Sequence, residues 1–166
     1  MIPTLTTDRL FLRAPETADF DALCAYFRDP RSAFNGGPKE PVDVWTMLTS
    51  ALGQWHLRGH GLWFAHLRDT DALVGFAGVF HPFDWPEPEL GYGVIAEAEG
   101  KGIAFEAVTA ARAGAARLGL TRLPSFIAPD NARSQALATR LGASFETEIT
   151  LRDKPAQVWR HPEVRP

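Results

Sequence analysis

The chain is poor in several features, and each shortage narrows its chemistry. Its 166 residues contain one cysteine, Cys24, so no intramolecular disulfide can form, which suits a reducing cytoplasm. No apolar run approaches the roughly 20 residues needed to span a bilayer, and Met1 to Asp8 lacks the apolar centre of a secretion signal. Seventeen Lys and Arg stand against twenty Asp and Glu, a formal charge of −3 with both signs scattered. That pattern offers neither a basic footprint for nucleic acid nor a polybasic patch for a membrane surface. There is no Gly-x-Ser-x-Gly elbow of a serine hydrolase. His56 and His60 share helical spacing without the Glu that a zinc protease places between them, and His66, His81 and His161 are scattered, so no metal site is expected. Internal repeats, low-complexity tracts and linkers are also missing, and at 45% hydrophobic content one domain over residues 1–166 is expected.

The most informative stretch runs from Glu89 to Ala104. Glu89-Leu-Gly-Tyr-Gly-Val-Ile95 reads as a strand, and Gly100-Lys-Gly-Ile-Ala104 as a glycine turn. A helix beginning near Lys101 is expected next, with Ala104, Val108, Ala111, Ala115 and Leu118 forming its apolar face. Free N–H groups at such a helix start, beside two glycines without Cβ, make an anion site suited to phosphate. The alternative for this stretch alone is a glycine cap between strand and helix. A nucleotide P-loop does not fit, because Gly102 replaces the Ser or Thr after Gly-Lys and Ile95 replaces the first glycine. A dinucleotide fingerprint does not fit either. Phe105 replaces the third glycine, and no acid lies between Ala107 and Ala128. An acyl-CoA pyrophosphate site remains.

The rest of the chain interleaves strands and helices. Strands are expected at Arg9 to Arg13, Leu62 to Leu67, Leu73 to Phe80, Leu123 to Ala128, Ala143 to Thr150 and Gln157 to Arg160. A first helix buries Phe20, Leu23, Cys24 and Phe27. A second, opened by Pro41 and closed by Gly59, buries Val44, Leu48, Ala51, Leu52 and Trp55. Ser32 to Glu40 and His81 to Pro88 read as loops. Gly75 and Gly78 mark a bulge or a close backbone approach. A short helix after Pro129-Asp130-Asn131 buries Leu137 and Leu141 and stops at Gly142. The pattern predicts an α/β fold with one mixed, mostly antiparallel sheet and helices on both faces.

Glu99-Gly100-Lys101-Gly102-Ile103-Ala104 resembles the Gln/Arg-x-x-Gly-x-Gly/Ala motif of the GNAT N-acetyltransferases, with an acid at the first position. Asn131-Ala132-Arg133-Ser134, followed by Leu141-Gly142, resembles the ribosomal-protein-acetylating (Rim-type) branch. Thr7-Asp8-Arg9-Leu10 and Val158-Trp159-Arg160-His161-Pro162 fit that branch too, so the resemblance covers nearly the whole chain. It implies a single GNAT domain that moves an acyl group, by default acetyl from acetyl-CoA, to a primary amine by direct attack in a ternary complex. Backbone groups of Val94 and Ile95 would bond the pantetheine arm. Glu99, Gly100, Lys101, Gly102, Ile103 and Ala104 would hold the pyrophosphate, and Asn131 the pantetheine amide. Ser134 would protonate the departing thiolate. Glu89 would be the base that deprotonates the amine, with Glu87 as its competitor.

Helix capping is the alternative reading of Asn131 and Ser134. Phe34, Phe83 and Trp85 either line an acceptor pocket or cover the core. The alternative function is a catalytically inactive module that senses acyl-CoA. The acceptor is a small-molecule or peptide amine, and a homodimer stays open.

Overall fold

The computed structural model describes residues 1–165. Leu62–Leu67 (β3) and Leu73–Phe80 (β4) carry apolar residues on both faces because both faces of their sheet are covered; every residue from Leu62 to His66 is buried. They are the third and fourth strands of an antiparallel sheet ordered β1 (Leu5–Thr6), β2 (Leu10–Arg13), β3, β4 and β5 (Glu89–Val94). On one face Leu10, Leu12, Trp63, Ala65, Ala77 and Leu90 pack with Val108, Ala111 and Ala115 of α3 (Ile103–Arg117). On the other, Leu62, Phe64 and Phe76 meet Leu23 and Phe27 of α1 (Phe20–Arg28) and Val44 and Leu48 of α2 (Pro41–Arg58). The alternation of Trp63 and Ala65 with Leu62 and Phe64 is the period-two pleat at work.

Both expectations for Gly75 and Gly78 hold. A Cβ on Gly75 would stand 2.4 Å from the Gly93 carbonyl, and one on Gly78 2.4 Å from that of Gly61. The register of β3 against β4 also slips at Ala65/His66, beside Gly75.

A second antiparallel sheet has the order β6 (Pro124–Ile127), β8 (Lys154–Arg160), β7 (Ser144–Leu151), and α4 (Ala132–Arg140) follows β6. The α/β, mostly antiparallel class is as the pattern predicts, but the sheet is divided: β5 and β6 are neighbours without a ladder between them. Side chains bridge them instead. Ser125 Oγ donates to the Leu90 carbonyl at 2.7 Å, and the Phe126 N–H donates to Glu89 Oε2 at 2.8 Å.

Three local expectations are corrected. The α3 helix starts at Ile103, two residues after Lys101, because Gly100 and Gly102 hold left-handed φ values of 72° and 76°. Leu118 lies past the last helical turn and is exposed rather than on the buried face. The segment expected to be loop from Ser32 begins as a 3-10 turn, Pro30–Asn35, capped by the Asp29 side chain.

Candidate functional site

Where β5 and β6 part, a cleft of about 530 Å³ opens along Tyr92 to Val94. The ladder explains why this edge is free. Ile95 donates its N–H to the Val74 carbonyl at 3.0 Å, so in the antiparallel alternation Gly91 and Gly93 also face β4. Leu90, Tyr92 and Val94 therefore turn their backbone groups the other way. Leu90 meets Ser125, while those of Tyr92 and Val94 border the cleft. Ile95 is a correction to the sequence reading. Its N–H serves β4, its carbonyl accepts from Ala98, and it does not line the cleft.

The glycine turn forms one end. The α3 helix has no side-chain cap, and its first internal bond runs from Glu106 N–H to the Gly102 carbonyl. The N–H groups of Ile103, Ala104 and Phe105 are thus unmatched within the helix, and all three residues line the cleft with Gly100 and Gly102. Nothing lies within 4 Å of where a Gly100 Cβ would stand. The turn is held from behind: Arg9 donates to the Lys101 carbonyl at 2.8 Å and to Glu106 at 2.6 Å, and Thr7 Oγ1 also donates to Glu106. Lys101 therefore supports the turn through its carbonyl and, against the sequence reading, does not line the cleft.

Glu99 stands at the solvent rim between two arginines. Arg133 Nη1 lies 3.1 Å from one carboxyl oxygen and Arg31 Nη1 3.5 Å from the other. Arg140, on α4 two turns after Arg133, lies over the Phe105 ring with its guanidinium 5.1 Å from the centroid. The lining thus sets three arginines against one carboxylate, a field that favours an anionic ligand. Tyr26, Phe34 and Asn35 close the remaining side, with Asn35 donating to the Tyr26 hydroxyl at 2.5 Å. They come this near because Gly93 has no side chain: a Cβ there would meet the Tyr26 hydroxyl at 2.7 Å.

Asn131 caps α4, its Oδ1 accepting the Ser134 N–H at 3.2 Å. Its Nδ2 has no protein partner among the described residues. Ser134 is not the cap. Its carbonyl accepts from the Tyr92 hydroxyl at 3.2 Å, while its own hydroxyl borders the cleft. Burial pushes the Tyr92 phenol up to about 12, so that group is a fixed donor.

Glu89 is 8% exposed and lies outside the cleft lining, between the two sheets. Trp85 Nε1–H donates to Oε1 at 2.8 Å and Phe126 N–H to Oε2 at 2.8 Å. Burial pushes the carboxyl up to about 7, against the pull of those two donors. Its competitor Glu87 forms a two-bond pair with Arg160 at 2.7 and 2.8 Å. The loop aromatics divide: Phe34 lines the cleft, Trp85 covers Glu89, and Phe83 is fully exposed. Among the described residues no group of three His, Cys, Asp or Glu could hold a metal.

The sequence reading missed Tyr26, Arg31, Asn35, Phe105, Arg133, Arg140 and the supporting pair Arg9–Glu106. Arg133 and Arg140 share one face of α4 and so were legible from spacing. Tyr26, Arg31 and Asn35 come from a distant stretch with no local signal.

A family model described as the acetyltransferase (GNAT) domain matches residues 9–144. An uncharacterized N-acetyltransferase p20 of Bacillus licheniformis is 33% identical over 156 residues, covering 90% of this chain and 86% of its own. A [ribosomal protein uS5]-alanine N-acetyltransferase of Escherichia coli K12 is 32% identical over 167 residues, covering 90% and 81%. The crystal structure of an acetyltransferase from Agrobacterium tumefaciens is 36% identical, superposes with a TM-score of 0.91 and covers 98% of this chain and 96% of its own.

Proposed function

Because the chain belongs to the GNAT acetyltransferase family, we propose that it transfers acetyl from acetyl-CoA to a primary amine by direct attack within a ternary complex. One observation carries the reading: the free backbone edge of β5 and the uncapped start of α3 border the same cleft. An extended amide chain suits the first, and a pyrophosphate the second. Backbone groups of Tyr92 and Val94 would pair with the pantetheine arm, the Asn131 Nδ2 would donate to one of its carbonyls, and Gly100 to Ala104 would cradle the phosphates.

The amine attacks the thioester carbonyl carbon, forming a C–N bond as the C–S bond breaks. An ammonium has no lone pair, so a proton must leave first. A carboxyl held near pH 7 is suited to receive it, and Glu89 is the group so placed. Since Glu89 lies outside the cleft lining and Trp85 engages only one acceptor site of Oε1, the proton passes through water to a lone pair that remains open on the carboxylate. Ser134, whose hydroxyl borders the cleft, relays the second proton: it donates to the departing thiolate as it takes up, through water, the proton that the amine nitrogen loses on becoming an amide.

Likeness to an enzyme named for acetylating an alanine of ribosomal protein uS5, at 32% identity, supports a peptide or protein α-amine as the acceptor. Incubating the protein with acetyl-CoA and a panel of peptides, polyamines and small amines tests this. Thiol release accompanied by the mass increase of one acetyl group on a peptide amino terminus is expected. Release with small amines alone would overturn the peptide assignment, and no transfer to any amine would overturn the reading as a whole.

A further inference from the structure

The acid at the first motif position is built into the cleft as a strap. Arg31 belongs to the 3-10 turn Pro30–Asn35 on one wall, Glu99 to the turn at the floor, and Arg133 to α4 on the opposite wall. The Glu99 carboxylate joins them at 3.5 and 3.1 Å. All three line the cleft beside Gly100 and Gly102, so two guanidinium groups stand at the rim of the proposed pyrophosphate cradle, engaged by an internal anion.

A carboxylate offers two oxygens and one charge, whereas a pyrophosphate diester offers more oxygens and two charges, and guanidinium groups prefer the stronger bidentate acceptor. We infer that Arg31 and Arg133 are the side-chain ligands of the cofactor's pyrophosphate, and that Glu99 is a resident anion that holds them across the cleft and gives them up when the cofactor enters. The inference rests on the acetyl-CoA reading of the cleft. It assigns Glu99 a role opposite to the Gln or Arg of the motif it departs from: the side chain competes with the ligand for its partners.

In the ligand-free protein the strap keeps two arginines oriented and stops them repelling each other. It also joins the Pro30–Asn35 wall to α4, so cofactor entry breaks one contact on each side and remakes both through the phosphates. The contacts are at the rim, with side chains between one third and two thirds exposed, so their effect is modest and sensitive to salt.

The test is calorimetric titration with acetyl-CoA and with S-acetylpantetheine, which has no phosphate, at low and at high ionic strength. Glu99→Ala should tighten acetyl-CoA about three- to tenfold at low salt, lose that gain near 1 M salt, and leave S-acetylpantetheine unchanged. Arg133→Ala should weaken acetyl-CoA about tenfold and again spare S-acetylpantetheine. In an Arg31→Ala/Arg133→Ala background, adding Glu99→Ala should bring little further gain, because no partner remains to be released. A Glu99→Ala protein that binds acetyl-CoA no tighter than the native one overturns the strap while leaving the cofactor reading intact. Full gain retained in the background lacking both arginines reduces Glu99 to simple repulsion and also overturns it. Failure of the native protein to bind acetyl-CoA overturns the inference together with the reading beneath it.

Discussion

Glu89 Oε2 accepts the backbone N–H of Phe126 at 2.8 Å, across the line where the two sheets part. The same carboxyl that bridges β5 to β6 is therefore the one whose burial lifts its proton affinity to about 7. A structural role and the proposed chemical role coincide in one group, and pH separates them.

For Glu89, the folded pKa lies above the ordinary carboxyl value of 4.5. The folded protein then holds more protons than the unfolded chain between these two values, so stability should fall as pH rises from about 4.5 to about 7 and level off above. Glu89→Gln should remove that slope in pH-dependent denaturant melts. It should also lower kcat/KM about a hundredfold at pH 7, with less effect at high pH, where the amine is already neutral. An unaltered pH–rate profile would assign the base to another group.

Gly102 has a φ of 76° and opens onto the cleft. Gly102→Ala should cost about 1–2 kcal/mol of stability from left-handed strain, with a small change in acetyl-CoA affinity. Gly102→Glu should share that strain and lower affinity at least about tenfold more, because its Cβ would stand 3.5 Å from the Arg9 guanidinium that holds the turn and its negative charge would sit at the phosphate end of the cleft. Equal affinity in the two folded variants would dissociate the turn from phosphate binding.

The roles proposed for Ser134 and Asn131 are separable. Ser134→Ala keeps the backbone N–H that the Asn131 cap accepts, so the melting temperature should nearly hold while turnover falls about a hundredfold. Asn131→Ala deletes the α4 cap and should cost about 1 kcal/mol in addition to weakening acetyl-CoA. Full turnover in Ser134→Ala would end its role as proton donor.

Asp19 ties β2 to β3 from beneath. It receives two hydrogen bonds from Arg13, at 2.7 and 2.9 Å, and lies 3.2 Å from His66 Nε2. Burial would raise its carboxyl, but the His66 ring nitrogen beside it and the bonds from Arg13 outweigh that and hold it down at about 2. The stability it contributes is present above the ordinary value of 3.8 and disappears as pH falls from there to about 2. Asp19→Asn should cost about 3 kcal/mol at neutral pH and flatten the acid limb of the stability curve. A variant with unchanged stability at pH 7 would show that the pair contributes nothing net.

Local chemistry wrote much of this protein directly into its sequence. The β3 and β4 bounds follow from apolar runs stopped by turn residues, α2 from Pro41 and Gly59, and the anion turn from two glycines that must hold positive φ ahead of an uncapped helix. Each of these signals lies within a few residues of the feature it sets. What lay between elements far apart in the chain was settled only by folding. Whether β5 pairs with β6 depends on side chains 36 or so positions apart, and Glu89 and Ser125 fill the gap where a ladder would have run. Arg31 and Arg133 reach one carboxylate from opposite walls, and Trp85 seals Glu89 from a loop whose composition alone allowed either a pocket or a cover. Periodicity and turn chemistry act through neighbours along the chain, whereas a cleft is made by neighbours in space.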